Sequence, residues 1–444
     1  MAAKRENFGS RWAVIFAMAG SAIGLGNIWR FPYMVGEHGG SAFIIIYIIA
    51  TVFVSLPVFI AEVVIGRRSR LGAFSAMSTL RPGHKVWKFA GILSIFTPMV
   101  ICSYYSVIGG WSLDYMVKAF YGAFVRTPSE QVTGLFDIFT TSLWKPLVAH
   151  LVFLAISCFV VSNGVKTGIE KFSKVSIPVL FILILLMLFY SVTLPGAMEG
   201  VRYMVRPDFS QIDARSLAYA LGQSFYSLSL GMGAILTYGS YVSKDEDIVV
   251  SSAGTAVSDL LFAILAGLAI MPAVFAAGIE PGAGPGLLFQ SIPYIFSTMG
   301  ERLPVISAVI SVVFFVTVVV AAMTSCISLV EVGASFLKER FGVSRRKAVL
   351  CVFLLCGALG SFCALNGTAF DVCDWFCSNL LLLMLAGLVV VFVGYVLKKE
   401  DVFDEITNGG ARRANVGLFP IIYFLIKWVA PIAIAVIIIT NFIG

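Results

Sequence analysis

Residues 20–32 read GSAIGLGNIWRFP and residues 227–233 read SLSLGMG. Each glycine cluster falls near the middle of an apolar stretch long enough to cross a bilayer, where glycine costs up to about 1 kcal/mol relative to alanine in a helix. A helix opened there frees backbone groups that lipid cannot hydrogen-bond, so such a break is tolerated only around a polar cavity. One cluster alone reads as a small-residue helix contact. Two, five spans apart, point to a midplane site shared by the two halves of an inverted-repeat transporter.

Composition agrees with a membrane protein. Of 444 residues, 59% are hydrophobic and 12% charged, against roughly 25% charged in soluble domains. A cytosolic enzyme, a disordered chain and a coiled coil are excluded. Eight cysteines are too few for a disulfide scaffold, and Cys102, Cys158, Cys326, Cys351 and Cys356 lie inside apolar runs, as small buried hydrophobes. The net charge of +7 is carried by short clusters between apolar stretches, so no nucleic-acid partner is expected.

Eleven stretches are long enough to span, at about 11–35, 41–65, 88–117, 146–162, 174–195, 215–241, 250–277, 303–336, 347–365, 376–397 and 416–443. The first opens with Lys4 and Arg5, but its apolar part is too long for a signal peptide and no small-residue cleavage site follows. Lys and Arg divide 22 to seven when the N-terminus is placed in the cytoplasm, which favours that orientation and puts Gly444 outside. The segment 278–302, broken by Pro281, Gly282, Gly284, Pro285, Gly286 and Pro293, is expected to pack on the outer face as a lid.

Arg11-Trp12, the run Gly20 to Pro32, Glu37 with Gly39-Gly40, Glu62 with Gly66-Arg67, Gln223 to Tyr241 (QSFYSLSLGMGAILTYGSY) and Ala321 to Ser325 (AAMTS) resemble the neurotransmitter:sodium symporter family. The resemblance runs from Lys4 to about residue 430 and is to the bacterial amino-acid branch whose members have eleven spans. It implies an all-α integral membrane protein with a LeuT-like fold and a single transporter domain over 1–444. Spans 1–5 (about 11–195) would form one repeat, spans 6–10 (about 215–397) its inverted copy, and 416–443 an added span, with helices 1 and 6 broken.

An amino acid brings a carboxylate that must be neutralised in a low-dielectric cavity, and a helix reopened at Gly24 to Gly26 offers free N–H groups and a positive dipole end. By resemblance, amine-carrying relatives place an acid at position 24, so Gly24 favours a substrate with its own carboxylate, and Tyr105 matches the family's carboxylate-binding tyrosine. The substrate set so implied is Ser21, Ala22, Gly24, Leu25, Gly26, Ile101, Tyr105, Tyr226, Ser227, Ser229, Met232, Ser325 and Leu329. It carries no charge, which suits a neutral apolar or aromatic amino acid.

Sodium wants oxygen ligands, which unwound backbone supplies. The resemblance implies one ion on the Ala22 carbonyl, Asn27, Ser227, the substrate carboxylate and either Ser258 or, preferred, Asp259. A second would take the carbonyls of Gly20, Ile23 and Ala321 with Thr324 and Ser325. Chloride-dependent relatives use a serine where this chain has Ala263, so transport is expected not to need chloride. Arg30 with Asp374 and Arg5 with Glu339 match the outer and inner gates, Glu62 is expected to hydrogen-bond the first break, and Gly168 and Pro178 match a site where some relatives unwind the fifth span.

The activity implied is sodium-coupled amino-acid import by alternating access at a bacterial inner membrane, with no enzymatic chemistry and a homodimer possible. The three histidines lie at span ends or in loops and no HExxH or GxSxG occurs, which leaves hydrolysis little to work with. A channel would need a continuous polar lining. An amino-acid-binding sensor of the same fold is the remaining alternative.

Overall fold

Long apolar helices in lipid have nothing to gain by hiding their apolar faces from solvent, so packing sorts them by size and polarity instead. The computed structural model, which describes residues 6–280 and 288–443, follows that rule. In the helix Val165–Ser191, Val175, Ile182 and Phe189 recur every second turn and are 62%, 58% and 66% exposed, whereas Ile177, Leu180 and Ile184 are buried. Buried hydroxyls mostly bond back into their own helix, as Ser103 does to the Met99 carbonyl at 2.8 Å and Ser112 to that of Ile108 at 2.9 Å.

Among the described residues all regular structure is helical. In chain order the helices that matter here are α1 (Arg11–Ala22), α2 (Gly26–Glu37), α3 (Ser41–Ser69), α4 (Lys85–Phe120), α5 (Trp144–Ser162) and α6 (Val165–Ser191). They are followed by α7 (Ala214–Ser227) and α8 (Ala234–Gly239), α9 (Ile248–Ala276) and α10 (Ser291–Gly300). The chain ends with α11 (Pro304–Phe341), α12 (Arg345–Leu365), α13 (Gly367–Val396), α14 (Lys399–Thr407) and α15 (Arg413–Asn441).

Nine of these are long and apolar enough to cross a membrane, and α1 with α2, bent by 55°, makes a tenth. The expected sixth span does not form one helix. Positive φ at Ser229, Gly231 and Gly233 divides it into α7, of 14 residues, and α8, of six, each too short to cross alone. The helices α4 and α11, of 36 and 38 residues, pack along each other, and α5 and α12 pack against both. Against that wall lie α1, which also touches α6 and α9, and α8, which runs beside α3. The two breaks therefore meet in the middle of the bundle.

Of the expected lid, residues 281–287 lie outside the described residues. The rest packs down as expected: Tyr115 in α4 donates to the Phe289 carbonyl at 3.0 Å, Phe289 stacks on Phe136 at 5.3 Å, and α10 rests on α11.

Candidate functional site between two broken helices

A helix that stops in mid-bundle must find new partners for its backbone, and each break finds them in side chains. Ile23 leaves the helix with ψ at 106°. The freed Gly24 N–H donates to Asn27 Oδ1 at 3.0 Å and the Leu25 N–H to the Tyr105 hydroxyl at 3.3 Å. The Ser21 carbonyl accepts Ser229 Oγ at 2.7 Å and Ser325 Oγ at 3.2 Å, the Ile23 carbonyl accepts Thr324 Oγ1 at 3.1 Å, and the Gly26 carbonyl accepts Gln223 Nε2 at 3.1 Å. Gly24 admits no larger residue, because a Cβ there would sit 2.3 Å from Ser325 Oγ and 3.0 Å from the Tyr105 hydroxyl.

The second break is held differently. Gly231, with φ at 71°, lies so close to the Leu382 carbonyl that a Cβ would come within 2.0 Å of it, and its N–H donates to Glu62 Oε1 at 2.8 Å. Glu62 was expected at the first break; it serves the second, because α3 runs beside α8 and carries the carboxylate to that side.

Between the breaks is a cavity whose walls are Ser21, Ala22, Gly24 and Gly26 from the first, Tyr226, Ser229 and Met232 from the second, Ile101 and Tyr105 from α4, and Ser325, Ser328 and Leu329 from α11. Eleven of the thirteen expected substrate residues are thus brought together. Leu25 and Ser227 are not in the lining: Leu25 turns into the core, 1% exposed, and Ser227 faces Asp259. Ser328 was missed, although it stands one turn beyond Ser325 and beside Leu329 on the same helix. The space open to water-sized molecules is about 20 Å³, room for about one water, so anything larger enters only when the walls part.

On one side of the cavity three residues converge on one point. Asn27 Nδ2 lies 2.7 Å from Asp259 Oδ1 and 3.1 Å from Ser227 Oγ, and Ser227 Oγ donates to the same carboxylate at 2.8–2.9 Å. The Tyr47 hydroxyl reaches Asp259 Oδ2 at 3.4 Å. Ser258 points elsewhere, to the Gly254 carbonyl of its own helix at 2.8 Å. On the other side Thr324 Oγ1 bridges the carbonyls of Ile23 and Ala321, at 3.1 and 2.8 Å, and a Cβ on Gly20 would lie 3.6 Å from that of Thr324.

The residues expected to form gates are arranged less simply. Arg30 makes no ion pair with Asp374; its guanidinium lies over the Tyr226 ring, 4.7 Å from the centroid, while Asp374 accepts Ser378 Oγ at 3.3 Å. Arg5 lies outside the described residues, and Glu339 accepts the Gly72 N–H at 3.0 Å and Ser335 Oγ at 3.0 Å. Gly168 sits in the first turn of α6, so near the Val160 carbonyl that a Cβ would lie 2.1 Å from it, and Pro178 lies further along the same helix.

The face that carries the N-terminal segment has closures that were not foreseen. Glu331 in α11 is fully buried and accepts the Tyr241 hydroxyl and Arg345 Nη2, both at 2.5 Å. An acid inside an apolar run is the signal that could have found it. Arg67 and Glu405, 1% and 4% exposed, pair at 2.7 Å and tie α3 to α14. Phe8 donates its N–H to the Tyr241 carbonyl at 3.1 Å and sets its ring edge-on to Tyr238 and Tyr241. Partial burial alone would raise the Glu6 carboxyl, but the Val165 N–H at 3.1 Å and the charges of Arg345 and Lys338 outweigh it and hold the group below its usual range.

The profile of the sodium:neurotransmitter symporter family matches residues 5–126 and 133–444. The uncharacterized sodium-dependent transporter YhdH of Bacillus subtilis is 35% identical over 452 residues, which cover 99% of this chain and 98% of that one. An uncharacterized sodium-dependent transporter of Haemophilus influenzae is 33% identical over 460 residues, with 99% and 98% covered. The crystal structure of MhsT in complex with L-phenylalanine is similar at a TM-score of 0.89 and 35% identity, covering 99% of this chain and 100% of that one.

Proposed function

Because the chain belongs to the sodium:neurotransmitter symporter family and is therefore a multi-pass, sodium-coupled transporter of LeuT-like fold, we propose that its cargo is a neutral, apolar or aromatic L-amino acid. The observation that carries this is Gly24. Its missing side chain leaves the Tyr105 hydroxyl and the start of α2 open to an anionic group of the cargo, and main-chain N–H groups at a helix start favour a carboxylate. The similarity to a transporter solved with L-phenylalanine agrees.

Two sodium ions accompany the substrate in this reading. One is held by Asn27, Ser227, Asp259, the Ala22 carbonyl and the substrate carboxylate, the other by the carbonyls of Gly20, Ile23 and Ala321 with Thr324 and Ser325. The shared carboxylate makes each ligand raise the affinity for the other, by the same factor in both directions. Asp259 supplies a fixed negative charge ringed by the hydroxyls of Ser227 and Tyr47, so no chloride is required; a loss of uptake in chloride-free buffer would overturn that part.

Alternating access follows from rocking of α1, α2, α3, α7, α8 and α9 against the wall built on α4 and α11. Arg30, over the Tyr226 ring, and Asp374 stand at the outer mouth, and Arg5 with Glu339 at the inner. In this reading the chain crosses a bacterial inner membrane eleven times, with the sixth span broken; the excess of Lys and Arg supports a cytoplasmic N-terminus, the odd number then gives an outer C-terminus, and a homodimer is compatible with this layout. The test is uptake into proteoliposomes. A sodium gradient is expected to drive accumulation of labelled phenylalanine or leucine; equal accumulation without sodium overturns the coupling, and binding without uptake makes the protein a sensor.

A further inference from the structure

The cavity is apolar over Ile101, Met232 and Leu329, yet one corner is not. Ser21 donates its hydroxyl proton to Ser328 Oγ at 2.8 Å, and Ser328 donates its own to the Ser325 carbonyl at 2.7 Å. Because the Ser328 proton is committed to a carbonyl, the direction of the chain is fixed, and Ser21 must be the donor of the first bond. Both protons are then spent inside the protein. Among the described residues no donor reaches Ser21 Oγ, so the chain ends in a hydroxyl oxygen with free acceptor capacity. Ser21 is 1% exposed and Ser328 also 1%, and both stand in the cavity wall.

The Ser21 backbone cannot turn this oxygen away. Its carbonyl is clasped by Ser229 Oγ from the second break and Ser325 Oγ from α11, which fixes the residue at the edge of the first. An apolar pocket alone barely discriminates a substrate from an isostere that adds one hydroxyl, whereas a placed partner for that hydroxyl does. We propose that the Ser21–Ser328 pair reads the substrate side chain and favours amino acids that carry a hydrogen-bond donor there, a hydroxyl or an N–H, over isosteres without one. Ser21 and Ser328 are specificity-determining residues in this assignment, which rests on the cavity being the amino-acid site and narrows its substrate class.

The test uses two isosteric pairs, threonine against valine and tyrosine against phenylalanine, as unlabelled competitors of sodium-dependent amino-acid binding to the purified full-length protein. In the parent, the hydroxylated member of at least one pair is expected to compete about fivefold better, the equivalent of one net hydrogen bond. Ser328→Ala and Ser21→Ala should each bring that ratio to about one, and retained sodium-dependent binding of any of the four amino acids certifies a folded site. Equal competition in both pairs, or a ratio that survives both substitutions, overturns the assignment but leaves amino-acid transport standing. Failure of all four to compete overturns this inference, whereas absence of any sodium-dependent binding of labelled phenylalanine or leucine overturns the amino-acid reading itself.

Discussion

Asn27 and Asp259, 232 residues apart in sequence, meet inside the bundle with Nδ2 2.7 Å from Oδ1. Asn27 belongs to the short helix that resumes after the first break and Asp259 to the unbroken α9, so the contact joins a segment freed by glycine to a rigid one. Ser227, the last residue of α7, completes it. Three helices thus converge on one point, where Asp259 and Ser227 present oxygens and Asn27 its amide nitrogen, its Oδ1 being held by the Gly24 N–H.

Replacing Asp259 by Asn keeps the size of the side chain and removes its charge. The apparent sodium affinity of uptake is expected to fall about tenfold, the loss of one charge-assisted contact. Uptake, expected to be indifferent to chloride in the parent, should become chloride-stimulated in Asp259→Asn, because a mobile anion can then occupy the place of the fixed one. Sodium titrations of uptake in chloride and in gluconate buffers measure both.

Tyr105→Phe removes the hydroxyl that accepts the Leu25 N–H and faces the cavity. Substrate affinity should drop about tenfold, within the 1–3 kcal/mol that an unsatisfied buried donor costs. Competition binding against the parent is the measurement, and an unchanged affinity would mean that the carboxylate is held elsewhere.

Gly24→Ala should be far more severe. The added Cβ would lie 2.3 Å from Ser325 Oγ, inside any allowed contact, so either the break or α11 must shift. Uptake is expected to be lost while the protein still reaches the membrane and binds detergent micelles as a monodisperse species.

Arg67→Ala leaves Glu405, which is 4% exposed, with only the more exposed Lys244 and Arg68 as partners. Breaking a buried pair from one side costs about 3–5 kcal/mol, so the thermal unfolding temperature in detergent should fall markedly. The double variant Arg67→Met with Glu405→Gln should recover part of the loss, since no buried charge is then left alone.

Glu6 gives a pH dependence with a definite sign. Its carboxyl is held below the usual range in the folded protein, so the contact with the Val165 N–H is fully present above the unfolded value, about 4.3, and is lost as pH falls through the lowered one. A spin label introduced by Ser10→Cys should stay ordered at neutral and mildly acid pH and become mobile only below that range. With Glu6→Gln it should be mobile throughout.

Much of this was legible in the chain. Apolar run length determined where helices lie, because a bilayer admits few alternatives to them. The glycine clusters determined where two of them open, since a Cβ at Gly24, Gly231 or Gly233 would fall 2.3, 2.0 or 2.7 Å from a neighbouring atom. The family motifs carried most of the cavity lining. What could not be read was which neighbour answers each freed backbone group. Glu62 could reach either break by spacing alone, and only the run of α3 beside α8 sends it to Gly231.

The choice between Ser258 and Asp259 has the same character: adjacent residues on a helix point about 100° apart, and the rotation of α9 against α2 selects the one that faces Asn27. Ser328 entered the cavity, and Glu331 and Arg67 found their partners, through the same kind of decision. By itself, then, the sequence determined the medium, the helices and the positions of their breaks, because those follow from local chemistry against lipid. The tertiary structure alone decided the pairings, because a side chain's partner depends on the rotation and offset of a second helix, and no local pattern encodes either.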